Sequence, residues 1–243
     1  MIGIFDSGLG GVPIWQAIVA LLPDEEYTYV ADQAYLPYGV KTDNEITNRA
    51  RSISKYLIEK GASLVVVACN TATVSSIKAL RKEFPATTFV GVEPALKPAS
   101  ILNKKTLVLG TKSTLASAKF RELLKKNGIG SISLLSLPDW VDRAENGMKL
   151  ELSKKQEKEI TDADVVVLAC THYIYFMDEL QTMFPSKIFI EPSLAVANRV
   201  KALYKAVGVK GRKTILTTGA KSQLKPIEKH LHGWGVKLES VKI

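Results

Sequence analysis

Short apolar segments alternate with longer amphipathic segments along the first part of the chain. A short apolar run bounded by turn residues is typical of a buried strand, whereas apolar positions three and four residues apart predict a helix. The predicted strands are residues 1–5, 27–31, 64–68 and 89–92, and the predicted helices are residues 12–22, 44–60 and 72–84. Strands that alternate with helices are typical of βαβ units and a parallel sheet.

The same alternation then starts again. The predicted strands of this second series are residues 106–109, 131–135, 165–169 and 187–190, and its predicted helices are residues 115–127, 153–161, 175–184 and 194–207. A tail follows, with predicted strands at residues 214–218 and 236–241 and a predicted helix at residues 224–231. We expect the tail to extend one of the two halves.

The two series also share residues, most clearly where strands end. Residues 62–71 match residues 163–172 at an offset of 101, residues 93–95 match residues 191–193 at an offset of 98, and residues 5–7 match residues 109–111 in position. Three features in the same order and at nearly constant spacing predict an internal duplication.

The predicted fold is therefore α/β, with two similar parallel-sheet domains and an active-site cleft between them. The first domain is predicted to comprise residues 1–95 plus 208–243, and the second residues 96–207. In open parallel sheets ligands bind at the carboxyl ends of the strands, so the residues that follow the strands are the candidates for chemistry.

The composition, 46% hydrophobic and 23% charged residues, is typical of a soluble globular protein. No apolar run approaches the roughly 18 residues of a membrane-spanning helix. The first eleven residues lack the basic and long apolar regions of a secretory signal. We therefore expect a cytoplasmic protein without membrane contact.

Positive charge is concentrated near the end of the chain. The net charge is +9, and residues 201–243 contain ten Lys or Arg against two acids. A solvated, lysine-rich surface is the favoured interpretation over nucleic-acid binding, because no interleaved aromatic residues or DNA-binding motif accompany the charge.

Cysteine and histidine are scarce, with two cysteines and the three histidines His172, His230 and His232. These residues are too few for a disulfide framework, and none cluster as the ligands of a metal site would, so we expect no metal. Cys69 and Cys170 each follow the most hydrophobic strand of their half. A helix N-terminus there would favour the thiolate.

A lone cysteine is most often a small buried hydrophobe. Two cysteines at equivalent places in facing halves instead predict a cleft with a thiol on each wall. One thiolate could remove a proton from one face of a carbon while the opposite thiol returns a proton to the other face. An ordinary thiol pKa of about 8.5 suits both tasks after modest tuning.

Five motifs together resemble the glutamate racemases. They are Asp6–Gly11, Pro37–Gly39, Ala68–Ala72, Gly91–Ala95 and Cys170–Tyr173, and the resemblance covers nearly the whole chain. It implies cofactor-independent interconversion of L- and D-glutamate, which supplies D-glutamate for peptidoglycan, and commonly a homodimer. No lysine has a recognisable pyridoxal phosphate setting, so we expect no cofactor.

The resemblance also implies roles for individual residues. Cys69 would be the base toward D-glutamate and Cys170 the base toward L-glutamate. Asp6 would assist the first thiol, and His172 and Glu145 would assist the second. The implied substrate-binding residues are Ser7, Pro37, Tyr38, Gly39, Asn70, Thr71, Thr114 and Thr171.

Simpler interpretations remain for several of these residues. Asp6 could form a turn or cap a helix, His172 could be a loop histidine, and Glu145 could as readily be a surface acid. Gly8, Gly10 and Gly11 predict a close approach of the backbone to a neighbour, or simple turns.

Two alternative functions remain open. The first is a racemase of another acidic amino acid, aspartate, although aspartate racemases typically have Glu where His172 stands. The second is a protein that binds an acidic amino acid without catalysis, which the two thiols disfavour. Residues 174–176, Ile-Tyr-Phe, depart from the Pro-Leu that usually follows the second cysteine motif in glutamate racemases.

Overall fold

Ten β-strands occur in the part of the chain that the structure describes. The structure is a computed structural model that describes residues 1–128, 130–206, 208, 211–228 and 231–243. The strands are β1 (Ile2–Asp6), β2 (Tyr27–Ala31), β3 (Leu64–Val67), β4 (Thr88–Gly91), β5 (Thr106–Gly110), β6 (Ile132–Ser136), β7 (Val165–Ala169), β8 (Ile188–Ile190), β9 (Lys213–Thr217) and β10 (Val236–Ser240). They form two entirely parallel sheets.

Eleven α-helices occur within the described residues. They are α1 (Val12–Leu21), α2 (Asp43–Glu59), α3 (Asn70–Glu83), α4 (Leu96–Leu102), α5 (Lys112–Ala116), α6 (Ala118–Asn127), α7 (Asp139–Glu145), α8 (Lys154–Thr161), α9 (Met177–Met183), α10 (Ser193–Leu203) and α11 (Lys225–Glu228). Short 3-10 helices cover Tyr38–Val40, Thr171–Phe176 and Lys221–Leu224. Over this part of the chain, no helix combines the length and hydrophobicity needed to cross a membrane.

The strand order confirms the predicted α/β fold with two related sheets. The first sheet has the order β10-β9-β2-β1-β3-β4, and the second has the order β6-β5-β7-β8. The four strands of the second sheet therefore repeat the order of β2-β1-β3-β4. The tail contributes β9 and β10, which extend the first sheet beyond β2.

Continuous β-branched and apolar runs account for the central strands. All residues of β3 and β7 are buried, because helices cover both faces of each sheet. Helix α2 begins with a capping box, in which the Thr42 side chain accepts from the Glu45 backbone while the Glu45 side chain accepts from the Thr42 backbone. The apolar side of α2 then packs on the first sheet.

Helix α10 departs from the predicted domain division. Its buried residues Val196, Ala197 and Val200 pack with Trp15 and Ile18 of α1, in the core of the first sheet. By contrast, α4 packs with the second sheet, as the boundary at residue 95 requires. We therefore propose that the second domain ends before α10, since burial against the first sheet decides which half this helix belongs to.

Several predicted elements need correction. The predicted helix 115–127 is divided at Ser117, whose side chain caps α6 by accepting from the Phe120 N–H at 3.0 Å. The predicted helix 175–184 begins as the 3-10 helix Thr171–Phe176 and becomes α-helical only in α9. Val207, the predicted end of a helix and of a domain, lies outside the described residues, as do residues 229 and 230 of the predicted helix 224–231.

Helices α4 and α7 were not predicted from the sequence. Pro98 lies in the first turn of α4, where its missing N–H costs no hydrogen bond, but a proline there obscures the helical pattern. Helix α7 has seven residues in a polar stretch, too few to show a periodicity. It carries Glu145, one of the predicted site residues, at its last position.

Candidate active site

A cavity of about 560 Å³ lies where the carboxyl ends of the two sheets face each other. Cys69 follows β3 and Cys170 follows β7, and both thiols line this cavity. The equivalent strand ends of the duplicated sheets therefore present one cysteine from each half to the same space.

The structure brings the sequence-predicted residues together at this cavity. Those that line it are Ser7, Pro37, Tyr38, Gly39, Cys69, Asn70, Thr71, Cys170, Thr171 and His172. Asp6, Thr114 and Glu145 are buried directly behind the lining residues. The roles of all thirteen residues remain predictions.

Sequence reasoning missed part of the lining. The additional residues are Val40, Thr111, Lys112, Ser136, Pro138, Asp139, Val141 and Asp142. Thr111 and Ser136 could have been found, because they stand at the ends of β5 and β6, where the strand-end rule applies. The residues of α7 could not, because that helix was not predicted.

Cys69 is the N-terminal cap of α3, and its surroundings correct one expectation. The Ala72 N–H donates to Sγ at 3.4 Å, as expected at a helix N-terminus. Burial and the neighbouring Asp6 charge outweigh this contact and raise the Cys69 pKa well above its ordinary value. The helix end therefore does not produce a thiolate in the unliganded protein.

Asp6 is a buried carboxyl group next to the Cys69 thiol. Its Oδ2 accepts from the Gly11 N–H at 2.8 Å and from the Thr171 hydroxyl at 3.5 Å. Its Oδ1 is buried without a hydrogen-bond partner. Burial raises the pKa of Asp6 from 3.8 to about 6, against the opposing charge of His172 and the interaction with Cys69. Asp6 is thus a carboxylate at neutral pH that is poised to accept a proton.

We expect Asp6→Asn to change how stability depends on pH. The raised pKa means that wild-type protein loses stability as pH rises from about 4 to about 6, because the folded protein binds this proton more tightly than the unfolded chain. The free energy of unfolding of Asp6→Asn, relative to that of wild type, should therefore rise by about 3 kcal/mol between about pH 4 and pH 6. Above pH 6 the difference between the two proteins should stay constant. Urea denaturation at a series of pH values measures the difference, and a difference independent of pH would contradict the raised pKa.

The second thiol faces a charged pair. His172 Nε2 donates to Glu145 Oε1 at 2.7 Å, and both side chains are buried. Burial alone would lower the His172 pKa, but hydrogen bonds with Cys170 and Glu145 raise it well above its ordinary value. Burial would raise the Glu145 pKa, but the hydrogen bond and charge of His172 lower it. An imidazolium therefore stands beside Cys170, and Glu145 is not a surface acid.

The glycine-rich loop after β1 encloses this pair. The Leu9 N–H donates to Glu145 Oε1 at 2.6 Å, and the Tyr175 hydroxyl donates to the Leu9 carbonyl at 2.9 Å. A Cβ atom at Gly8 would lie 2.0 Å from Glu145 Oε1, and one at Gly10 would lie 2.5 Å from His172 Nδ1. The predicted close approach at these glycines is confirmed. It brings the loop after β1, in the first domain, into contact with Glu145 of the second domain.

Neutral hydroxyl groups form another part of the wall. The Thr71 hydroxyl lies 2.9 Å from that of Thr111 and 3.2 Å from that of Thr114, and the Thr111 hydroxyl donates to Thr114 at 3.0 Å. Asn70 Nδ2 donates to the Val92 carbonyl at 3.3 Å, while Oδ1 is buried without a partner. This cluster can donate to a carboxylate, and the Asn70 oxygen can accept from an ammonium group.

Tyr38, on the first-domain wall, is held from behind by a buried ion pair. Its hydroxyl donates to Asp32 Oδ2 at 2.6 Å. Arg49 donates to both oxygens of Asp32, at 2.8 Å from Nε and 2.6 Å from Nη2. The Thr218 hydroxyl donates to Asp32 Oδ1 at 2.8 Å, so that the carboxylate has four donors.

The described residues contain no group of three or more His, Cys, Asp or Glu side chains that could hold a metal ion. The polar groups of the cavity are hydroxyls, amides, the charged side chains of Lys112, Asp139 and Asp142, and two acid–base sets, one beside each thiol. This arrangement suits proton transfer to and from a small charged ligand.

Comparison with known proteins identifies the family. Residues 10–200 match the family described as Asp/Glu/Hydantoin racemase. The chain belongs to this family. It is therefore a racemase, an enzyme of the isomerase class, and the resemblance seen in the sequence motifs is confirmed.

Individual relatives support the same assignment. The chain is 37% identical over 223 residues to a protein named glutamate racemase from Methylococcus capsulatus, covering 87% of this chain and 82% of the relative. It is 39% identical over 201 residues to one from Halothermothrix orenii, covering 78% of each chain. The crystal structure of Escherichia coli glutamate racemase with L-glutamate and the activator UDP-MurNAc-Ala superimposes with a TM-score of 0.88 at 30% identity, covering 99% of this chain and 97% of that chain.

Proposed function

We propose that the protein interconverts L- and D-glutamate by a two-thiol proton transfer without a cofactor. The observation that carries this proposal is that Cys69 and Cys170 line one cavity from equivalent strand ends. Each thiol also has its own acid–base partner, Asp6 for Cys69 and the His172–Glu145 pair for Cys170.

In the direction from L-glutamate, the Cys170 thiolate takes the α-proton and the Cys69 thiol gives its proton to the opposite face. The electron pair of the broken C–H bond remains on the α-carbon until the second proton arrives. Cys170 is then a thiol and Cys69 a thiolate, the reverse of the starting state. The starting state returns when the Cys170 thiol releases a proton to solvent and the Cys69 thiolate takes one up from solvent. Asp6, with a pKa of about 6, is placed to take up that proton and pass it to Cys69.

Glutamate is the favoured substrate because relatives that are 37% and 39% identical to this chain bear that name and the Escherichia coli structure contains L-glutamate. Aspartate remains the alternative within the family. Binding without turnover is disfavoured, because a binding protein needs no acid–base partner behind each thiol.

The experiment that tests this proposal is circular dichroism of L-glutamate and L-aspartate incubated with the protein and no added cofactor. We expect the signal of L-glutamate to decay to zero and that of L-aspartate to persist, with the Cys69→Ser/Cys170→Ser double variant as the inactive control. Decay of the aspartate signal alone would leave the family assignment intact and overturn the substrate.

Two implications of the resemblance belong to the proposal. Supply of D-glutamate for peptidoglycan follows if the enzyme forms D-glutamate in the cell. A homodimer is the expected assembly, and light scattering of the purified protein measures it directly.

A further inference from the structure

Gln33 lies behind the cavity, two residues after β2, and contacts the acid of the second domain. Its Nε2 donates to Glu145 Oε2 at 2.8 Å, and the residue is buried. Glu145 accepts from His172 through its other oxygen, Oε1. Glu145 therefore connects Gln33 to the imidazole beside Cys170, although Gln33 does not line the cavity.

The orientation of the Gln33 amide is fixed by its neighbours. Thr217 Oγ1 accepts from the Gly219 N–H at 3.0 Å, so its own hydrogen is free to donate to Gln33 Oε1 at 2.7 Å. The amide nitrogen must then face the opposite way, where it donates to Glu145 and, at 3.2 Å, to the Gln223 carbonyl. Both of these partners only accept, which is consistent with this orientation.

The consequence is electrostatic. With donors on both oxygens, the charged form of Glu145 is favoured, and this charge in turn favours the protonated form of His172. The other titratable groups that face Glu145 are Asp6, Tyr29 and Tyr175. Asp6 carries the same negative charge as Glu145 and therefore disfavours the Glu145 carboxylate, while burial keeps the two tyrosines neutral. The hydrogen-bond donors and His172 are therefore what stabilise the carboxylate.

We propose that Gln33 is a positioning residue that holds the Glu145 carboxylate against His172 and so sets the protonation of the Cys170 half of the site. This inference rests on the proposed two-thiol function. It predicts that loss of the Gln33 donor impairs the chemistry of Cys170 and spares that of Cys69.

Racemisation itself cannot separate the two halves. L- and D-glutamate have equal free energies, so the kcat/KM values of the two directions must remain equal in any variant. Elimination from β-chloroglutamate avoids this constraint. A thiolate takes the α-proton, the C–H electrons form a double bond to the β-carbon, and chloride leaves with the C–Cl pair. The enamine hydrolyses to an oxo acid and ammonia, and chloride release reports the rate.

The test uses Gln33→Met, which keeps the length of the side chain and removes its hydrogen bonds. For the L-isomer, which Cys170 deprotonates, we expect kcat/KM for elimination to fall about tenfold, a scale typical of a partner behind a functional histidine. The pH range of this activity should also narrow, because the Glu145–His172 ion pair then exists over a smaller interval. For the D-isomer, which Cys69 deprotonates, the change should stay within about twofold.

Thr217→Val provides a second variant, because loss of the Thr217 hydroxyl frees the Gln33 amide to rotate. It should lower kcat/KM for elimination from the L-isomer by a smaller factor than Gln33→Met does. Gln181→Met, at an exposed position of α9, is the matched control and should leave kcat/KM for elimination unchanged for both isomers. Equal losses for both isomers, or an unchanged pH profile for the L-isomer, would overturn the role of Gln33. If Cys69→Ser and Cys170→Ser showed no isomer preference, the two-thiol function itself would fail, and this inference with it.

Discussion

Replacing either cysteine by serine should nearly abolish racemisation while leaving half of the chemistry in place. Serine is a poor base at neutral pH, so Cys69→Ser and Cys170→Ser should each lose roughly 10²–10⁴-fold in racemisation, the usual scale for a missing acid or base. The circular dichroism assay of L-glutamate measures this loss. Because each substitution exchanges one sulfur for oxygen in a buried site, thermal unfolding should show that the fold survives.

The two variants should differ in elimination from β-chloroglutamate, which requires only one base. Cys170→Ser keeps the Cys69 base and should still release chloride from the D-isomer. Cys69→Ser keeps the Cys170 base and should still release chloride from the L-isomer. Equal activity of both variants on both isomers would contradict opposed thiols. A reversed preference would instead mean that Cys69 deprotonates the L-isomer and Cys170 the D-isomer.

Arg49→Met should cause a large loss of stability. Arg49 and Asp32 form a buried pair, with side-chain exposures of 7% and 0%. Removing the cation leaves the Asp32 charge buried without its counter-charge, and a broken buried pair typically costs about 3–5 kcal/mol. Urea denaturation at neutral pH measures the free energy of unfolding. The same variant should lose activity, because Asp32 also holds the Tyr38 hydroxyl at the cavity wall.

Helix α2 supplies a matched control. Arg51, two residues later, pairs with Glu83, but both side chains are 39% exposed. An exposed pair contributes about 0–1 kcal/mol, so Arg51→Met should be close to wild type in stability. Similar losses of unfolding free energy in the two variants would show that the buried Asp32–Arg49 pair stabilises the fold no more than the exposed pair does.

The sequence was sufficient to predict the fold class because the relevant signals are local. The runs at 64–68 and 165–169 are short, rich in β-branched residues and apolar on both faces, which favours covered parallel strands. The repeated Ala-Cys pair after each run placed both thiols at strand ends, and the strand-end rule then predicted one shared cavity. These inferences needed no knowledge of tertiary contacts.

The features that tune the site could not be predicted in the same way. Glu145 was indistinguishable from a surface acid, since its burial arises from Leu9 and Gln33, which are remote in the sequence. The sequence showed that a helix end favours the Cys69 thiolate, but it could not show that burial and Asp6 outweigh this effect and raise the Cys69 pKa. The position of α10 depended on packing against α1. In each case the deciding interaction joins segments far apart in the chain.

The proposed catalytic role of Asp6 and the stability of the protein are partly opposed. Asp6 and Cys69 are buried together, and burial raises the pKa of both groups. The raised pKa of Asp6 costs stability at neutral pH, whereas the Cys69 thiol is protonated there in both the folded and the unfolded state. In the proposed mechanism, Asp6 is a proton acceptor beside the thiol that exchanges a proton in each turnover. At neutral pH, Asp6→Asn should therefore have a higher free energy of unfolding than wild type and a lower racemase activity.

The central claim, that two opposed thiols transfer the proton, is tested most directly by racemisation of L-glutamate in D₂O. Chiral chromatography separates the two isomers early in the reaction, and proton NMR of each then reports deuterium at its α-carbon. Two opposed bases predict that the D-glutamate formed carries solvent deuterium while the remaining L-glutamate keeps its original proton. Retention of the proton in D-glutamate, or equal early labelling of both isomers, would instead indicate a single base and contradict the account.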